Sequence, residues 1–335
     1  MSKVYYKKCE LNDEVNDVVY DLMTKIIEEN KVVLPKKVPM KVHFGEEGNV
    51  TFIKPKYYEG IKKYLKEQEI ESCYIETNVL YKSDRSFEKT HIELAKRHGF
   101  DDLEIVIADG DDKHPYNEVE VNLKNFKTCK IGTKYADYDS YIVISHFKGH
   151  GLAGFGGAIK QLGMGFAARG GKLVQHSDSV PIINQDGCIV CGACLQKCPV
   201  DAIKLEPKAE IDENICVGCA ACTLACPVNV ISNSWSGSNF LEKLAEYAYA
   251  ASKDKQMLHV VYAFNITKDC DCVGDEMHPV AKDIGIFVSL DPVAVDKAIL
   301  DMVNKEKELF SQGYKTLDYA EEIGLGKTDY ELVEI

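Results

Sequence analysis

Apolar residues recur at Val15, Val18, Val19, Leu22, Met23, Ile26 and Ile27, the spacing of one helix face. Asn12-Asp13 precedes the stripe as a start signal, and Pro35 and Pro39 end it. Val38 to Phe44 then reads as a strand closed by the Gly45–Gly48 turn. Tyr57, Tyr58, Ile61, Tyr64 and Leu65 form a second helical stripe. A strand at 73–80, a helix at 86–98 stopped by Gly99, and a strand at 103–108 follow. Further strands are predicted at 118–123, 127–131 and 138–145, the last running straight into His146. Near the C-terminal end, Ser238 or Asn239 caps a helix over 239–252 with Phe240, Leu241, Leu244, Ala248 and Ala251 on its apolar face. Stretches 257–264 and 284–289 read as buried strands. Asp291-Pro292 opens a helix, with Asp as N-cap and Pro at the first position. Strands alternating with helices predict a layered α/β fold with a mainly parallel sheet.

One segment breaks this alternation. Cys188, Cys191, Cys194, Cys198 and Pro199 repeat their spacing 28 positions later as Cys216, Cys219, Cys222, Cys226 and Pro227. Both runs read C-x2-C-x2-C-x3-C-P, the spacing of bacterial two-cluster ferredoxins. There the fourth cysteine of each run serves the other cluster. One [4Fe–4S] cluster would take Cys188, Cys191, Cys194 and Cys226, and the other Cys216, Cys219, Cys222 and Cys198. The repeat extends through Pro199-Val-Asp-Ala-Ile203 and Pro227-Val-Asn-Val-Ile231, as expected of one half-module used twice. Zinc sites favour two C-x2-C pairs or cysteine with histidine, so four thiolates closing on C-P point to iron–sulfur clusters. A small α+β ferredoxin-like module at 181–231 would then interrupt one discontinuous α/β domain made of 1–180 and 232–335.

Composition narrows the partners. The 335-residue chain carries a net charge of −13, which argues against nucleic-acid or anionic-membrane partners. The N-terminal residues hold no apolar signal core, and no apolar run is long enough to span a bilayer. A soluble, cytoplasmic protein is the expectation. Committing eight of thirteen cysteines to clusters also fits a reducing compartment. Cys9, Cys73 and Cys129 stand alone and read as ordinary thiols.

Three other stretches are candidates for chemistry, since ligands of open α/β sheets bind beyond the carboxyl ends of strands. His146, Lys148 and His150 lead into a segment with nine glycines among residues 149–171. Its Gly154, Gly156 and Gly157, with Lys160, Arg169 and Lys172, could hold an anionic group or substrate. The alternative is a loop packed on the inserted module. Cys270 and Cys272 are surplus to two cubanes. They could hold a third metal with His146, His150 or His278, act as a redox thiol pair, touch a substrate, or simply pack. Asp291 reads as a helix cap. Glu76, Asn78, Asp109 and Asp111 lie at predicted strand ends.

With these stretches in view, the chain resembles the iron–sulfur-centre proteins called the domain of unknown function 362 family. The resemblance runs through Lys41–Glu46, Thr77–Tyr81, Ala108–Gly110, Ser145–His150, Gly154–Lys160, Leu162–Gly165 and Gln175–Ser177. It continues in both cysteine runs, Cys270-Asp-Cys272, Asp283–Ile286 and Ser289–Asp296. Asp111-Asp112 after Gly110 departs from the pattern, which would favour a residue and then glycine. The resemblance implies an α/β domain carrying an inserted ferredoxin module, and no settled reaction. The resulting expectation is an iron–sulfur oxidoreductase or oxidoreductase subunit. Two clusters would relay single electrons to or from a site built on His146, Lys148, His150, Cys270 and Cys272, with a histidine moving the accompanying proton. Its partner would be a redox protein or a small, anionic substrate. Rival readings are a plain electron carrier with a docking domain and a metal- or cluster-handling protein.

Overall fold

The structure, a computed structural model, describes all residues except 13, 111–114, 177–179, 199, 214, 217–220 and 233–237. Cys219, Asp111, Asp112 and Ser177 therefore lie outside the described residues.

The chain begins with β1 (Ser2–Lys7), α1 (Val15–Asn30), β2 (Met40–Lys41), α2 (Glu59–Glu67), β3 (Tyr74–Glu76), α3 (Glu88–Arg97) and β4 (Ile105–Ile107). A hairpin of β5 (Tyr116–Glu120) and β6 (Thr128–Gly132) precedes β7 (Ser140–His146). A second hairpin, β8 (Lys148–His150) with β9 (Gly154–Gly156), leads into α4 (Ala158–Gly165) and α5 (Arg169–His176). Next come β10 (Ile182–Ile183), α6 (Ala193–Lys197), β11 (Ile203–Lys204), β12 (Glu210–Ile211), α7 (Ala221–Ala225) and β13 (Ile231–Ser232). The last part holds α8 (Phe240–Ser252), β14 (Gln256–Ala263), β15 (Gly285–Ser289), α9 (Pro292–Glu306), α10 (Gly313–Glu322) and β16 (Tyr330–Glu334).

Eight strands form one sheet in the order β16-β1-β15-β14-β7-β2-β3-β4. Every neighbouring pair is parallel except those involving β15, which runs against β1 and β14. The expected α/β fold with a mainly parallel sheet is what the chain adopts. Its central strands read as continuous apolar runs because both faces are covered. In β7, Ile142 and Ile144 join the core beneath α1 and α2. Tyr141 and Val143 point the other way, into the core shared with α4, α8, α9 and α10. The two-residue period thus divides one strand between two cores.

Several elements differ from expectation. The strand expected at 38–44 pairs only over Met40–Lys41, and that at 73–80 stops at Glu76. Beyond Glu76 polar side chains capture the backbone: Thr77 N–H donates to Glu76 Oε1 at 2.8 Å and Asn78 N–H to Asp109 Oδ1 at 2.8 Å. The strands near 118–131 form a separate two-stranded hairpin rather than joining the main sheet. The glycine-rich stretch is a hairpin and two helices, not a loop.

Between residues 182 and 232 the described strands pair only with one another. β10 pairs antiparallel with β13, and β11 with β12, so the outer and inner strands of the two halves match up. Cys194, Ile203, Ala209, Cys222, Cys226 and Ile231 make a small apolar cluster of their own. Among the described residues no helix is long and apolar enough to cross a membrane.

Candidate functional site

The strand order reverses between β2 and β7: the chain steps outward from β2 to β3 and β4, then returns to β7 on the other side. Such a switch point opens a crevice at the carboxyl ends of the strands. A cavity of about 230 Å³ lies there. His43 follows β2, Glu76 ends β3, Ser145 and His146 end β7, and Cys270 and Cys272 come from the long connection after β14. His150, Gly156, Gly157, Lys160 and Lys172 also line it, beside apolar Val79, Leu80 and Met164.

Asp271 holds the connection in place. Its buried carboxylate accepts from His146 Nδ1 at 2.9 Å and pairs with Lys148 Nζ at 3.1 Å. Burial works against its charge, but His146 and Lys148 outweigh it and hold the carboxyl well below the usual range. His146 Nε2 also faces an acceptor, the Phe264 carbonyl at 2.7 Å. Both ring nitrogens of His146 thus face an acceptor oxygen. His146 therefore has no nitrogen left for a metal, and Lys148 is likewise turned inward, onto the His146 carbonyl at 2.9 Å. Both position the connection rather than present a free group to the cavity.

The two cysteines flank Asp271 within a turn closed by Val273 N–H donating to the Cys270 carbonyl at 2.9 Å. Lys160 Nζ donates to Cys270 Sγ at 3.4 Å. The hydrogen bond from Cys272, helped by Lys160 and Lys148 against burial, lowers the Cys270 thiol well below its ordinary value. Cys272 moves the opposite way because it supplies that proton. His43 Nδ1 accepts from Gly45 N–H at 3.0 Å, while its Nε2 lies 3.0 Å from Arg85 Nη1 and 3.3 Å from Cys272 Sγ. Burial, then Arg85, keeps His43 neutral by lowering its pKa far below 6.5. Arg85 reaches Cys272 Sγ at 4.0 Å and pairs with Glu76 at 3.5 Å, while its Nε donates to His91 Nε2 at 3.2 Å. Glu76 is shared with Lys41 at 3.0 Å. The cavity floor is a buried lattice of ion pairs with two sulfurs at its edge.

His150 Nδ1 accepts from Ala153 N–H at 3.0 Å, which leaves the Nε2 proton of the neutral ring as its remaining donor. Burial first, and Lys160 next, push its pKa down to about 3. Ser145 Oγ is buried and has no hydrogen-bond partner among the described residues.

The glycine-rich residues divide. Lys172 lines the cavity, but its three ammonium protons go to Thr77 Oγ1, the Asn78 carbonyl and the Ala167 carbonyl at 2.6–2.8 Å. Arg169 donates to the Ser86 carbonyl at 2.9 Å and lies outside the cavity lining, as does Gly154, which packs against Gly313. The N-terminus of α4, where an anion would be expected to sit, is already filled. Asp296 accepts from Ala158 N–H at 2.7 Å and Ile159 N–H at 2.9 Å. Gly157 is required there because a Cβ would collide with that carboxylate. His278 is exposed and does not line the cavity. The anion loop expected from sequence thus shrinks to Gly156, Gly157 and Lys160 on the cavity wall.

Sequence reading missed His43, Arg85, Tyr81 and Asp271. His43 was hidden inside the strand expected at 38–44, which in the structure ends at Lys41. Arg85 had no signal: a Ser83 capping box on a short turn swings it inward.

A second, smaller cavity of about 20 Å³ lies in the 182–232 segment, lined by Cys188, Cys191, Cys194 and Cys226 among apolar residues. Of the other set, Cys222 is buried, Cys216 is half-buried, and Cys198 Sγ accepts from Ala202 N–H at 3.2 Å. Among the described residues no three His, Cys, Asp or Glu side chains converge closely enough to hold a single metal ion. A cubane spreads its four thiolates over four corners, so sulfurs ringing a small apolar space fit a cluster better than a lone ion. The segment meets the larger cavity's rim where Lys82 Nζ donates to Asn229 Oδ1 at 3.4 Å. Tyr81, the neighbour of Lys82, lines that cavity and donates to Glu46 Oε2 at 2.8 Å.

No curated protein matches the chain. A crystal structure of a protein from Thermotoga maritima aligns at 11% identity with a TM-score of 0.40, over 94% of this chain and 60% of that one. The lactate racemase apoprotein from Thermoanaerobacterium thermosaccharolyticum aligns at 13% identity with a TM-score of 0.37, over 78% of this chain and 51% of that one. The chain therefore covers less than two thirds of either structure, and likeness at this level has no bearing on chemistry. The profile of a family described as Domain of unknown function (DUF362) matches residues 38–301. The chain belongs to that family.

Proposed function

We propose that the protein is an iron–sulfur oxidoreductase or oxidoreductase subunit. In this reading residues 181–231 form a two-cluster module set into an α/β domain of residues 1–180 and 232–335, which holds a small anionic substrate. Cys188, Cys191, Cys194 and Cys226 would hold one [4Fe–4S] cluster, and Cys216, Cys219, Cys222 and Cys198 the other. Bound there, the clusters supply storage and transfer of single electrons.

The observation that carries the reading is the small cavity shared by three cysteines of the first run and the last cysteine of the second. That set matches the crossed ligation inferred from spacing. In the larger cavity, Lys160 and Arg85 supply positive charge beside the sulfurs. His150 Nε2–H and the unpartnered Ser145 hydroxyl offer hydrogen bonds to a bound oxygen. Val79, Leu80 and Met164 cover an apolar portion and exclude water. A small organic anion suits this lining.

Anaerobically purified protein should contain about eight irons with matching sulfide, and the reduced protein should show the paramagnetic signals of two clusters. Cys226→Ser should remove the cluster held by the first run and Cys198→Ser the other. Folded, iron-free protein would end the proposal, and loss of the second-run cluster alone on Cys226→Ser would overturn the crossing.

A further inference from the structure

Cys270 and Cys272 lie outside both proposed cluster sets, yet they occupy the most elaborately supported corner of the larger cavity. The two side chains line the same cavity, one residue apart in a turn closed by Val273 N–H donating to the Cys270 carbonyl. Each sulfur has a cationic donor, Lys160 for Cys270 and Arg85 for Cys272, and His43 Nε2 lies 3.3 Å from the latter. Cys73 and Cys129, by contrast, are buried thiols held by a tyrosine hydroxyl and a backbone carbonyl, with no cation touching the sulfur among their described partners.

The geometry disfavours a metal on this pair. His146 has both nitrogens occupied, His150 commits Nδ1 to Ala153, and His278 lies elsewhere on the surface. Among the described residues no third ligand completes a group with the two sulfurs. What remains is two cysteines one residue apart at the wall of a cavity large enough for a small molecule, each with a cationic donor on its sulfur.

We propose that Cys270 and Cys272 form a reversible dithiol–disulfide couple that exchanges an electron pair with a small disulfide entering the cavity. The Cys270 thiolate attacks one sulfur of the disulfide RSSR, breaking its S–S bond and expelling RS⁻. Cys272 then attacks the Cys270 sulfur of the mixed disulfide; its proton leaves with the second RS group as RSH. The cysteine pair is oxidised by two electrons and the entering disulfide is reduced to two thiols. The reverse sequence regenerates the dithiol. Lys160 favours the anion on Cys270, and Arg85 stabilises Cys272 as the leaving thiolate of the reverse step. The inference deepens the oxidoreductase reading by giving its cavity a two-electron function, but its test does not depend on the clusters.

The whole protein, kept anaerobic, is equilibrated with set ratios of 2-mercaptoethanol and 2-hydroxyethyl disulfide. It is then quenched with acid, alkylated, and digested for mass spectrometry of the peptide containing both cysteines. The expected result is an internal disulfide, two hydrogens lighter, whose oxidised-to-reduced ratio changes tenfold for about each 30 mV of applied potential. Cys272→Ser should instead trap one mercaptoethanol on Cys270. Lys160→Met should slow iodoacetamide labelling of Cys270 near neutral pH by roughly tenfold or more, with an unchanged melting temperature showing that the fold persists. A peptide that stays fully reduced at every ratio overturns the proposal. So do two thiols protected from alkylation by a metal that is released on denaturation. An iron and sulfide count on the same samples reports on the cluster reading separately, so either can fail alone.

Discussion

At the scale of single residues, the site is organised by charges that cannot reach water. Asp271 sits between His146 and Lys148 with its carboxylate fully enclosed. Removing it strands the buried Lys148 ammonium and takes the acceptor from His146 Nδ1, so Asp271→Ala should cost about 3–5 kcal/mol in urea denaturation. It should also release the turn that pairs Cys270 with Cys272. A loss below about 1 kcal/mol would mean that the triad is solvated in solution. His259, in the middle of β14, tests a different liability. Its Nδ1 is buried with no partner among the described residues, and burial alone pushes its pKa down to about 3. Above pH 6.5 the ring is neutral whether the chain is folded or not. As the pH falls from there toward 3, the unfolded chain takes up a proton that the native state refuses, and stability is lost. His259→Leu should flatten this acid limb by up to about 1.4 kcal/mol per pH unit relative to wild type. Parallel stability curves for the two proteins between pH 4 and about pH 6 would contradict the assignment.

At the scale of elements, the α4 N-terminus shows how a distant helix can settle a local question. Asp296 on α9 takes both of the first two amides of α4. Burial raises its carboxyl to about 7 even though the two N–H donors oppose that rise, so the contact passes from carboxylate to carboxylic acid as the pH falls through neutrality. Asp296→Ala leaves both amides unsatisfied and should lower stability by about 2–4 kcal/mol, with Asp296→Asn costing less because one acceptor remains. Equal losses for the two variants would point to packing rather than hydrogen bonding. This contact was not legible in the sequence. Asp296 lies far along the chain from Gly157, and glycines at 154, 156, 157, 163 and 165 suppress the helix signal over a segment that tertiary contacts nevertheless make helical. By contrast the stripe of α1 and the apolar runs of β7, β14 and β15 were readable, because each buries a face whose period survives in the sequence. Asp291 was also read correctly as a cap: it accepts from Val293 and Ala294 N–H at 2.8 and 3.0 Å. Strands β1 and β16 were missed, since each is short and carries charged residues within its run. In the site, cysteines and histidines announced themselves by residue type, whereas Arg85 entered it through a turn that hydropathy does not register.

At the scale of the molecule, the reversal of strand order places residues from β2, β3, β7 and the connection after β14 around one opening. The cysteine-rich segment approaches that opening through Lys82 and Asn229. Its strands pair only with one another, so its geometry can be set independently of the large sheet. The sheet itself cannot be completed so locally. Ser2–Lys7 is sandwiched between Gly285–Ser289 and Tyr330–Glu334, with Val4 bridging Ser289 on one side and Leu332 on the other. During translation the first strand leaves the ribosome long before either neighbour exists. Until both have been made its two edges stay open to mispairing. Maturation must therefore have an order: the strands of the cysteine-rich segment can find their partners while the chain is still growing, and the large sheet closes after them.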